Sequence, residues 1–253
     1  MDLTDKTIIV VGAAGRLGRV LAAGAWQRGA NVVVVDTDKT LLEALAAQFS
    51  SRVSSFVCDI TSTESVRALL SFTEATHGKI DGAVNAAYPR NPAYGRHFFD
   101  VRFEDFCENV SLHLGGYFLF MQQCARYAVE EQVKFSLINI SSIYGVISPK
   151  FDVYRDTSMT MPVEYAAIKS ALQHLSRYTT AYTKGSLFRV NCVSPGGIEA
   201  GQDAAFLQKY REHTRHKGML DPHDILGTVC FLLSDLSEYV CGQNIVVDDG
   251  FSN

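Results

Sequence analysis

Near the start of the sequence stands Thr7-Ile-Ile-Val-Val-Gly12-Ala-Ala-Gly15-Arg-Leu-Gly18, the stretch that decides the fold. Its β-branched run predicts a strand, and the Ala- and Leu-rich residues 17–28 have the spacing of a helix that stops at Gly29. Glycines between a strand and a helix let the backbone approach a pyrophosphate, which the free N–H groups of the helix N-terminus attract. The stretch therefore predicts a dinucleotide-binding turn, and the alternative is an ordinary strand-to-helix turn.

The same alternation of apolar strands and helices continues along the chain. Further strands are predicted at 31–35, 53–57, 82–84, 135–140, 186–193 and 244–247, and helices at 39–49, 62–76, 103–129, 162–182 and 221–233. Continuously apolar strands that alternate with helices require a parallel sheet covered on both faces. The 253 residues, 47% of them hydrophobic, suffice for one large core. We expect a single α/β domain over residues 1–253, a Rossmann-type doubly wound parallel sheet of about seven strands with helices on both faces.

Three long irregular stretches interrupt this alternation, at residues 85–100, 144–161 and 196–220. Each follows a predicted strand, and a doubly wound sheet binds its ligands at the carboxyl ends of the strands. Long loops in a compact domain are usually functional. We expect these three loops to form the substrate side of a binding site.

Composition excludes several classes of function. With 23 Lys and Arg against 27 Asp and Glu, the net charge of −4 provides no basic field for a nucleic acid. Residues 110–125, free of Asp, Glu, Lys and Arg, are too few and too polar to cross a bilayer, and the first residues lack an export pattern. Six widely spaced cysteines predict reduced, mostly buried thiols. We expect a cytoplasmic protein with neither a membrane nor a nucleic-acid partner.

Asp36 at the end of the second predicted strand bears on the choice of cofactor. A carboxylate there can accept hydrogen bonds from both ribose hydroxyls of NAD, and it would repel the 2′-phosphate of NADP. Arg16 inside the glycine loop weakens this preference, because its side chain is positively charged. NAD is therefore expected ahead of NADP.

Tyr165 and Lys169 form a second notable group, because four positions place them on one face of a predicted helix. Such a pair is common and often serves only packing or a surface contact. Here Ser142 stands upstream at the end of a predicted strand. A hydroxyl, a phenol and an ammonium group can thus converge beside a nicotinamide.

Together these motifs resemble the short-chain dehydrogenase/reductase family over essentially the whole chain. The matching pieces are the glycine loop, Cys58-Asp59, Asn85-Ala-Ala, Asn139-Ile-Ser-Ser142, Tyr165 with Lys169, Arg189-Val-Asn-Cys-Val-Ser-Pro195-Gly196 and Gly242-Gln-Asn-Ile-Val-Val-Asp-Asp-Gly250. The resemblance implies hydride transfer with NAD(P), in which Tyr165 is the general acid/base and Ser142 polarises the carbonyl. Lys169 would hold the nicotinamide ribose and lower the pKa of the phenol, which at about 10 makes a poor base at neutral pH.

The resemblance also implies where the cofactor binds, with Asp59 near the adenine and Ile198 near the nicotinamide amide. The implied cofactor-binding residues are Gly12, Gly15, Arg16, Leu17, Gly18, Asp36, Asp59, Ile60, Asn85, Ala86, Tyr165, Lys169, Pro195, Gly196 and Ile198.

Four features depart from the family pattern. Arg16 replaces a glycine, so the glycine spacing resembles an extended branch that acts on nucleotide sugars, and Tyr88 replaces another glycine near the cofactor. The family's proton-relay asparagine aligns with His113, one turn after Asn109, and either side chain can hold the relay water. Finally, the interval of 23 positions between Ser142 and Tyr165 is unusually long. We expect residues 151–161 to add a wall to the pocket, and the alternative is a surface insertion.

Cationic residues concentrate in the three loops of this net acidic chain. They are Arg90, Arg96 and His97 in the first, Lys150 and Arg155 in the second, and Lys209, Arg211, His213, Arg215, His216 and Lys217 in the third. This favours recognition of a phosphate or carboxylate, against the alternative of a solvated helix face. Because the pair His213 and His216 lacks a third ligand, no metal site is predicted.

Strings around Tyr88, His113, Ser142 and Tyr165 also resemble dehydrogenases of flagellin glycosylation and bacterial surface-sugar pathways. The leading hypothesis is an oxidoreductase that interconverts a hydroxyl and a ketone on a polar anionic sugar, such as a sugar phosphate, nucleotide sugar or nonulosonic acid. One alternative is a reductase of a lipid-like or small carbonyl compound, which predicts an apolar lid where residues 201–217 are largely polar. Others are a sugar dehydratase or epimerase with transient oxidation, and a catalytically silent cofactor-binding subunit. We expect a small-molecule substrate and a homodimer or homotetramer formed through the long helices and last strand.

Overall fold

Seven parallel strands form one sheet in the computed structural model, which describes residues 1–253. The strands are β1 (Thr7–Val11), β2 (Asn31–Asp36), β3 (Val53–Val57), β4 (Gly82–Asn85), β5 (Phe135–Ile140), β6 (Phe188–Pro195) and β7 (Asn244–Val247). They lie in the order β3-β2-β1-β4-β5-β6-β7. The strand order therefore reverses between β1 and β4, where an open α/β sheet binds its ligands. The predicted doubly wound fold is confirmed.

The structure has eight α-helices, six of which pack against the two faces of the sheet. The eight are α1 (Arg16–Gln27), α2 (Lys39–Ala46), α3 (Thr63–His77), α4 (Phe103–Asn109), α5 (Gly116–Glu130), α6 (Val163–Tyr182), α7 (Ala204–Glu212) and α8 (Leu226–Leu233). Ser62 caps α3 by accepting a hydrogen bond from the Ser65 N–H, and Gly78 ends the helix with a φ of 82°. Pro162 precedes α6 at its N-cap position and not inside the first turn.

Three helices differ from their sequence-based predictions. The predicted helix over 103–129 is divided by a π-helical turn, Val110–Gly115, which is a rare conformation found mostly at functional positions. The predicted helix over 221–233 begins as a 3₁₀ turn, Pro222–Ile225, because Asp221 and Asp224 cap this turn reciprocally. Helix α7 was not predicted, since only Phe206 and Tyr210 are buried on its otherwise polar surface.

Two hydrophobic cores lie on opposite faces of the sheet. Ile9 belongs to one core, and its neighbours Ile8 and Val10 belong to the other, as the alternation of side chains along a strand requires. All three side chains are fully buried, and burying a side chain of this size contributes about 1.5–3 kcal/mol. This double burial explains why the central strands are apolar at every position.

A third, smaller core covers the carboxyl edge of the sheet. It joins the segment after β5, helix α7 and the last residues of the chain, and consists of Ile143, Tyr144, Val153, Phe206, Tyr210, Met219 and Phe251. The long interval between Ser142 and Tyr165 thus contributes buried side chains to a core of its own.

The six cysteines are free, and Cys58, Cys124, Cys192 and Cys230 are buried. Mostly buried thiols are therefore confirmed. None of the helices has both the length and the apolar character that crossing a membrane would require.

Candidate functional site

The glycine loop makes a close backbone turn between β1 and α1. A Cβ at Gly18 would lie 2.1 Å from the Gly12 carbonyl oxygen, and Gly12 itself has a φ of 74°. Only residues without a Cβ allow this approach, which leaves the N-terminus of α1 open at the strand reversal. The loop has the shape that a pyrophosphate requires.

Asp36 lies directly beside this loop because β1 and β2 are paired in register. Its carboxylate accepts hydrogen bonds from the Ala14 N–H at 3.0 Å and the Thr37 N–H at 2.8 Å. Arg16 points elsewhere, since its Nη1 donates to the Glu199 carbonyl oxygen at 2.6 Å. The structure therefore joins the glycine loop to the third loop through Arg16, a contact that the sequence did not indicate.

Two further predicted cofactor residues lie at the ends of β3 and β4. Asp59 is exposed, and its Oδ1 accepts a hydrogen bond from the Thr61 N–H at 2.8 Å. Asn85 is fully buried, and its Nδ2 has no hydrogen-bond partner. Burying a hydrogen-bond donor without a partner costs free energy. The Asn85 side-chain amide is therefore suited to donate to an acceptor that a bound ligand would supply.

Ser142, Tyr165 and Lys169 converge at the carboxyl end of β5. Ser142 caps a short 3₁₀ turn, Ile143–Gly145, with its Oγ 3.2 Å from the Tyr144 N–H. Lys169 is 3% exposed, and its Nζ donates to the Ile140 carbonyl oxygen at 2.7 Å and lies 5.6 Å from the centre of the Tyr165 ring. Helix α6 thus presents the phenol and the ammonium group on one face, as their spacing predicts.

Burial is the main cause of the pKa shifts of Tyr165, Lys169 and His113. It raises the pKa of Tyr165, which a hydrogen bond with Ser142 partly offsets, and it lowers the pKa of Lys169 to about 7. Burial and the charge of Lys169 together lower the pKa of His113 to about 2. His113 is therefore neutral at physiological pH, and Lys169 titrates near neutrality.

The structure separates the two side chains that the sequence offered for the proton relay. His113 lies in the π-helical turn, with Nε2 3.4 Å from Nζ of Lys169. Asn109 instead holds Asn91, accepting from its N–H at 2.9 Å and donating to its side-chain oxygen at 3.1 Å. His113 is thus brought to Lys169, while Asn109 anchors the first loop.

A cavity of about 600 Å³ opens beside Tyr165. Leu17, Ala86, Pro195, Gly196 and Ile198 from the predicted cofactor site line it, together with residues 158–161 of the second loop and Phe206, Tyr210 and Met219 of the third. Lys169 is the one charged side chain in the lining. The residues between Ser142 and Tyr165 therefore do form a wall of this cavity.

The loop cations do not line the cavity, which corrects the expectation that they recognise a phosphate or carboxylate there. Lys150 donates to the Phe251 carbonyl oxygen at 2.7 Å, and His213 lies 2.7 Å from Asp152. Lys209 donates to the Arg155 carbonyl oxygen. Lys209 and His213 join the third loop to the second, and Lys150 joins the second loop to the end of the chain. The side of α7 that faces the cavity is aromatic.

Tyr88 stands where the family pattern has a glycine. Its ring lies edge-on to those of Tyr165, His113 and Tyr94, at 5.7, 5.1 and 5.6 Å between centres. The guanidinium group of Arg90 covers the Tyr88 ring at 4.6 Å. A ring therefore fills the space beside Tyr165 where the family resemblance implies a glycine.

Comparison with known proteins places this architecture in a family. A family model described as enoyl-(acyl carrier protein) reductase matches residues 12–252. The chain is 38% identical over 254 residues to post-translational flagellin modification protein A of Campylobacter coli, covering 98% of this chain and 99% of that protein. It is 32% identical over 259 residues to a 2,5-dichloro-2,5-cyclohexadiene-1,4-diol dehydrogenase of Sphingobium indicum, covering 99% of this chain and 98% of that protein.

A solved structure agrees with these relatives. A short-chain dehydrogenase from Leptospira borgpetersenii with bound NAD⁺ superposes with a TM-score of 0.86 at 32% identity, covering 100% of this chain and 94% of that one. The chain belongs to the short-chain dehydrogenase/reductase family. It is an oxidoreductase that uses a nicotinamide cofactor.

Proposed function

We propose that this enzyme uses NAD to interconvert a hydroxyl and a ketone on a sugar of bacterial surface-glycan metabolism. The convergence of Ser142, Tyr165 and Lys169 on one wall of a single cavity carries this proposal. Similarity to a flagellin modification protein over nearly the whole chain supports a sugar as the substrate.

Each of these residues has a distinct part in the proposed reaction. Tyr165 exchanges a proton with the reacting oxygen, to which the Ser142 hydroxyl donates a hydrogen bond. Lys169 favours the Tyr165 phenolate by its charge and holds the nicotinamide ribose. When bound, the cofactor would accept a hydride as NAD⁺ or supply one as NADH. His113 can accept a hydrogen bond from Lys169 at Nε2, so of the two candidates it is the side chain proposed to hold the relay water. Asn109 acts through the first loop.

The preference for NAD follows from Asp36. Its carboxylate lies at the glycine loop, where it can accept from ribose hydroxyls and would repel a 2′-phosphate. Because Arg16 donates to the Glu199 carbonyl oxygen, its charge is directed toward the third loop. The proposed cofactor site comprises Gly12, Gly15, Arg16, Leu17, Gly18, Asp36, Asp59, Ile60, Asn85, Ala86, Tyr165, Lys169, Pro195, Gly196 and Ile198.

An anionic group on the sugar would have to remain outside the cavity, because the lining offers only Lys169 as a cation. Arg90 lies on the Tyr88 ring and donates to the Tyr88 carbonyl oxygen at 3.3 Å, so it is the cation placed to meet such a group. The aromatic and methionine lining favours a second candidate function, oxidation of a less polar cyclic alcohol. A relative named for a cyclohexadienediol substrate supports that candidate.

We further propose a cytoplasmic homodimer or homotetramer. The free thiols suit a reducing compartment. The exposed aromatic side chains of Phe103 and Phe118, on the α4–α5 segment, suit an interface between copies of the chain.

Mass spectrometry of a bacterial metabolite extract tests the proposed reaction. The extract is incubated with wild-type protein or Tyr165→Phe, in the presence of NAD or of NADH. A metabolite that gains or loses two hydrogens with the wild type only would support the proposal. Loss of water would instead indicate a dehydratase. No conversion, although the protein binds NADH, would contradict the proposal and favour a catalytically silent subunit.

A further inference from the structure

Two pairs of tyrosine side chains stand around Tyr165. The Tyr88 hydroxyl donates to the Tyr94 hydroxyl at 2.7 Å, and the Tyr154 hydroxyl donates to the Tyr144 hydroxyl at 3.4 Å. Tyr88, Tyr144 and Tyr154 line the cavity, and Tyr94 lies behind Tyr88. The first pair belongs to the loop after β4 and the second to the segment after β5, so two different walls each present a phenol pair.

The phenols remain neutral over the physiological range. Burial raises the pKa of Tyr88 and of Tyr154 to about 12, and it raises the pKa of Tyr94 and Tyr144 as well. A neutral phenol both donates and accepts hydrogen bonds. In the first pair the Tyr88 hydrogen is used, so Tyr88 offers lone pairs to a ligand. In the second pair the Tyr144 hydrogen is unused, so Tyr144 can donate to a ligand.

The rest of the lining suits an uncharged ring. No acidic side chain lines the cavity, and the Nζ of Lys169 is already bonded to the Ile140 carbonyl oxygen. Met159, Met161 and Phe206 offer apolar surface for the C–H faces of a ring. A cationic group would lose its hydration here without gaining an opposite charge, and an anionic group would meet only the Lys169 ammonium, which already donates to the Ile140 carbonyl oxygen.

We propose that the reacting carbon of the substrate lies between two carbons that each carry a hydroxyl, and that the Tyr88–Tyr94 and Tyr144–Tyr154 pairs each bind one of these hydroxyls. The substrate class is then a neutral cyclic polyol, or the uncharged ring of a larger sugar. This inference rests on the proposed function, because it concerns the substrate of the same site. Tyr88, which lines the cavity in the first pair, and Tyr154, which lines it beside Tyr144 in the second, become the specificity-determining residues.

Three cyclic alcohols provide a graded test. Cyclohexanol carries no neighbouring hydroxyl, cyclohexane-1,2-diol carries one, and cyclohexane-1,2,3-triol carries two around its central carbon. The reduction of NAD is followed with each alcohol, the diol and triol as separate stereoisomers. A net hydrogen bond of about 1 kcal/mol predicts a roughly fivefold rise in kcat/KM for each added hydroxyl in the best isomer.

Two variants remove single oxygens and keep the rings. Tyr88→Phe and Tyr154→Phe are each expected to lower the triol-to-cyclohexanol ratio of kcat/KM by roughly fivefold. Tyr178→Phe, on the exposed surface of α6, is the control and should leave the ratio as in the wild type. A ratio near one in the wild type, or a ratio that neither cavity variant changes, would overturn the inference.

Binding measurements separate this inference from the proposed function. Saturation-transfer NMR on the NADH complex should detect the triol more strongly than cyclohexanol even when neither is oxidised, and equal or absent signals would overturn the inference. If a metabolite in the extract is converted but the triol binds no better than cyclohexanol, the proposed function is supported and the neutral-polyol inference is overturned. Glucose 6-phosphate is compared with glucose in the same assay. If glucose 6-phosphate gives a stronger signal than glucose, and this difference persists in Tyr88→Phe and Tyr154→Phe, the neutral-ring inference is overturned in favour of an anionic substrate group.

Discussion

The Nζ atom of Lys169 lies 3.4 Å from Nε2 of His113, and the two side chains are 3% and 0% exposed. With its pKa lowered to about 2, His113 is neutral and can accept at Nε2 when its hydrogen is on Nδ1. The Nδ1 atom has no partner in the structure. A buried imidazole thus serves as the acceptor beside Lys169, on a π-helical turn that interrupts an otherwise regular helix.

Replacing His113 should slow the reaction more than it weakens cofactor binding. His113→Leu removes the acceptor at similar size, and loss of a hydrogen bond to a charged group, about 1.5–3 kcal/mol, predicts a fall in kcat of roughly 10- to 100-fold. His113→Gln keeps an acceptor and should recover part of the rate. The kcat with the metabolite identified from the extract and the Kd for NADH are measured for both. Equal losses in the two variants would indicate that only the shape of the imidazole matters.

Lys169 should make the stability of the cofactor-free protein rise with pH. Its pKa is about 7 in the folded protein, whereas an unfolded lysine has a pKa of about 10.4. Between these values the unfolded chain binds a proton that the folded protein does not, so the free energy of unfolding increases with pH across this window. Urea unfolding at several pH values from 7 to 10 measures the slope, which should be shallower in Lys169→Met. Parallel slopes for the two proteins would show that Lys169 keeps its ordinary pKa.

Most of the fold could be predicted because it rests on local patterns. The run of β-branched residues in β1 and the alternation that follows require a parallel sheet whichever way the loops run. The same holds for the glycine loop and for the spacing of Tyr165 and Lys169, since a turn and a helix face are properties of neighbouring residues.

The parts that were missed depend on contacts between distant segments. Nothing near His213 in the sequence indicates that it meets Asp152, so the cations of the third loop suggested a ligand and not a tie between loops. Helix α7 is stabilised by packing Phe206 and Tyr210 into the third core, and two apolar residues four positions apart are too weak a pattern to reveal it. The division of the predicted helix after Asn109 was likewise missed, because apolar residues continue through the π-helical turn.

Asp36 should control which cofactor is bound. Asp36→Ala removes the acceptor for the ribose hydroxyls and the charge that repels a 2′-phosphate, so the NADPH-to-NADH ratio of Kd values should fall by at least about tenfold. Asp38→Ala is a matched control, because Asp38 caps α2 through the Leu41 N–H and lies two positions away. Nicotinamide fluorescence gives both Kd values without a substrate. An unchanged ratio of the NADPH and NADH Kd values in Asp36→Ala would show that the ribose hydroxyls of the cofactor do not bind at Asp36.

Two glycines of the same loop should respond differently to an added methyl group. In Gly18→Ala the Cβ would meet the Gly12 carbonyl oxygen at 2.1 Å, and the next nearest atoms, in Gly12 and Ala13, are also backbone atoms that cannot move aside. In Gly15→Ala the nearest atom is the same oxygen at 3.1 Å, which a small shift can relieve. Gly18→Ala should therefore lose at least about 2 kcal/mol of stability and most NADH affinity. Gly15→Ala should lose less than half as much stability, as thermal unfolding would show, and equal losses would contradict the packing of this turn.

The polar contacts between the second loop and α7 should control how often the cavity wall opens. Lys209 donates to the Arg155 carbonyl oxygen and lies 3.4 Å from Asp156. Exposed ion pairs are worth about 0.2–1 kcal/mol, so Lys209→Ala should barely change the thermal midpoint. Local opening is governed by such small energies, and hydrogen exchange over residues 150–161 and α7 should accelerate by roughly two- to fivefold. Lys184→Ala, on the exposed turn after α6, should leave the exchange of both segments as in the wild type. Faster exchange in α7 alone would show that the two segments open independently, because segments that open as one unit would exchange their amide hydrogens at the same rate.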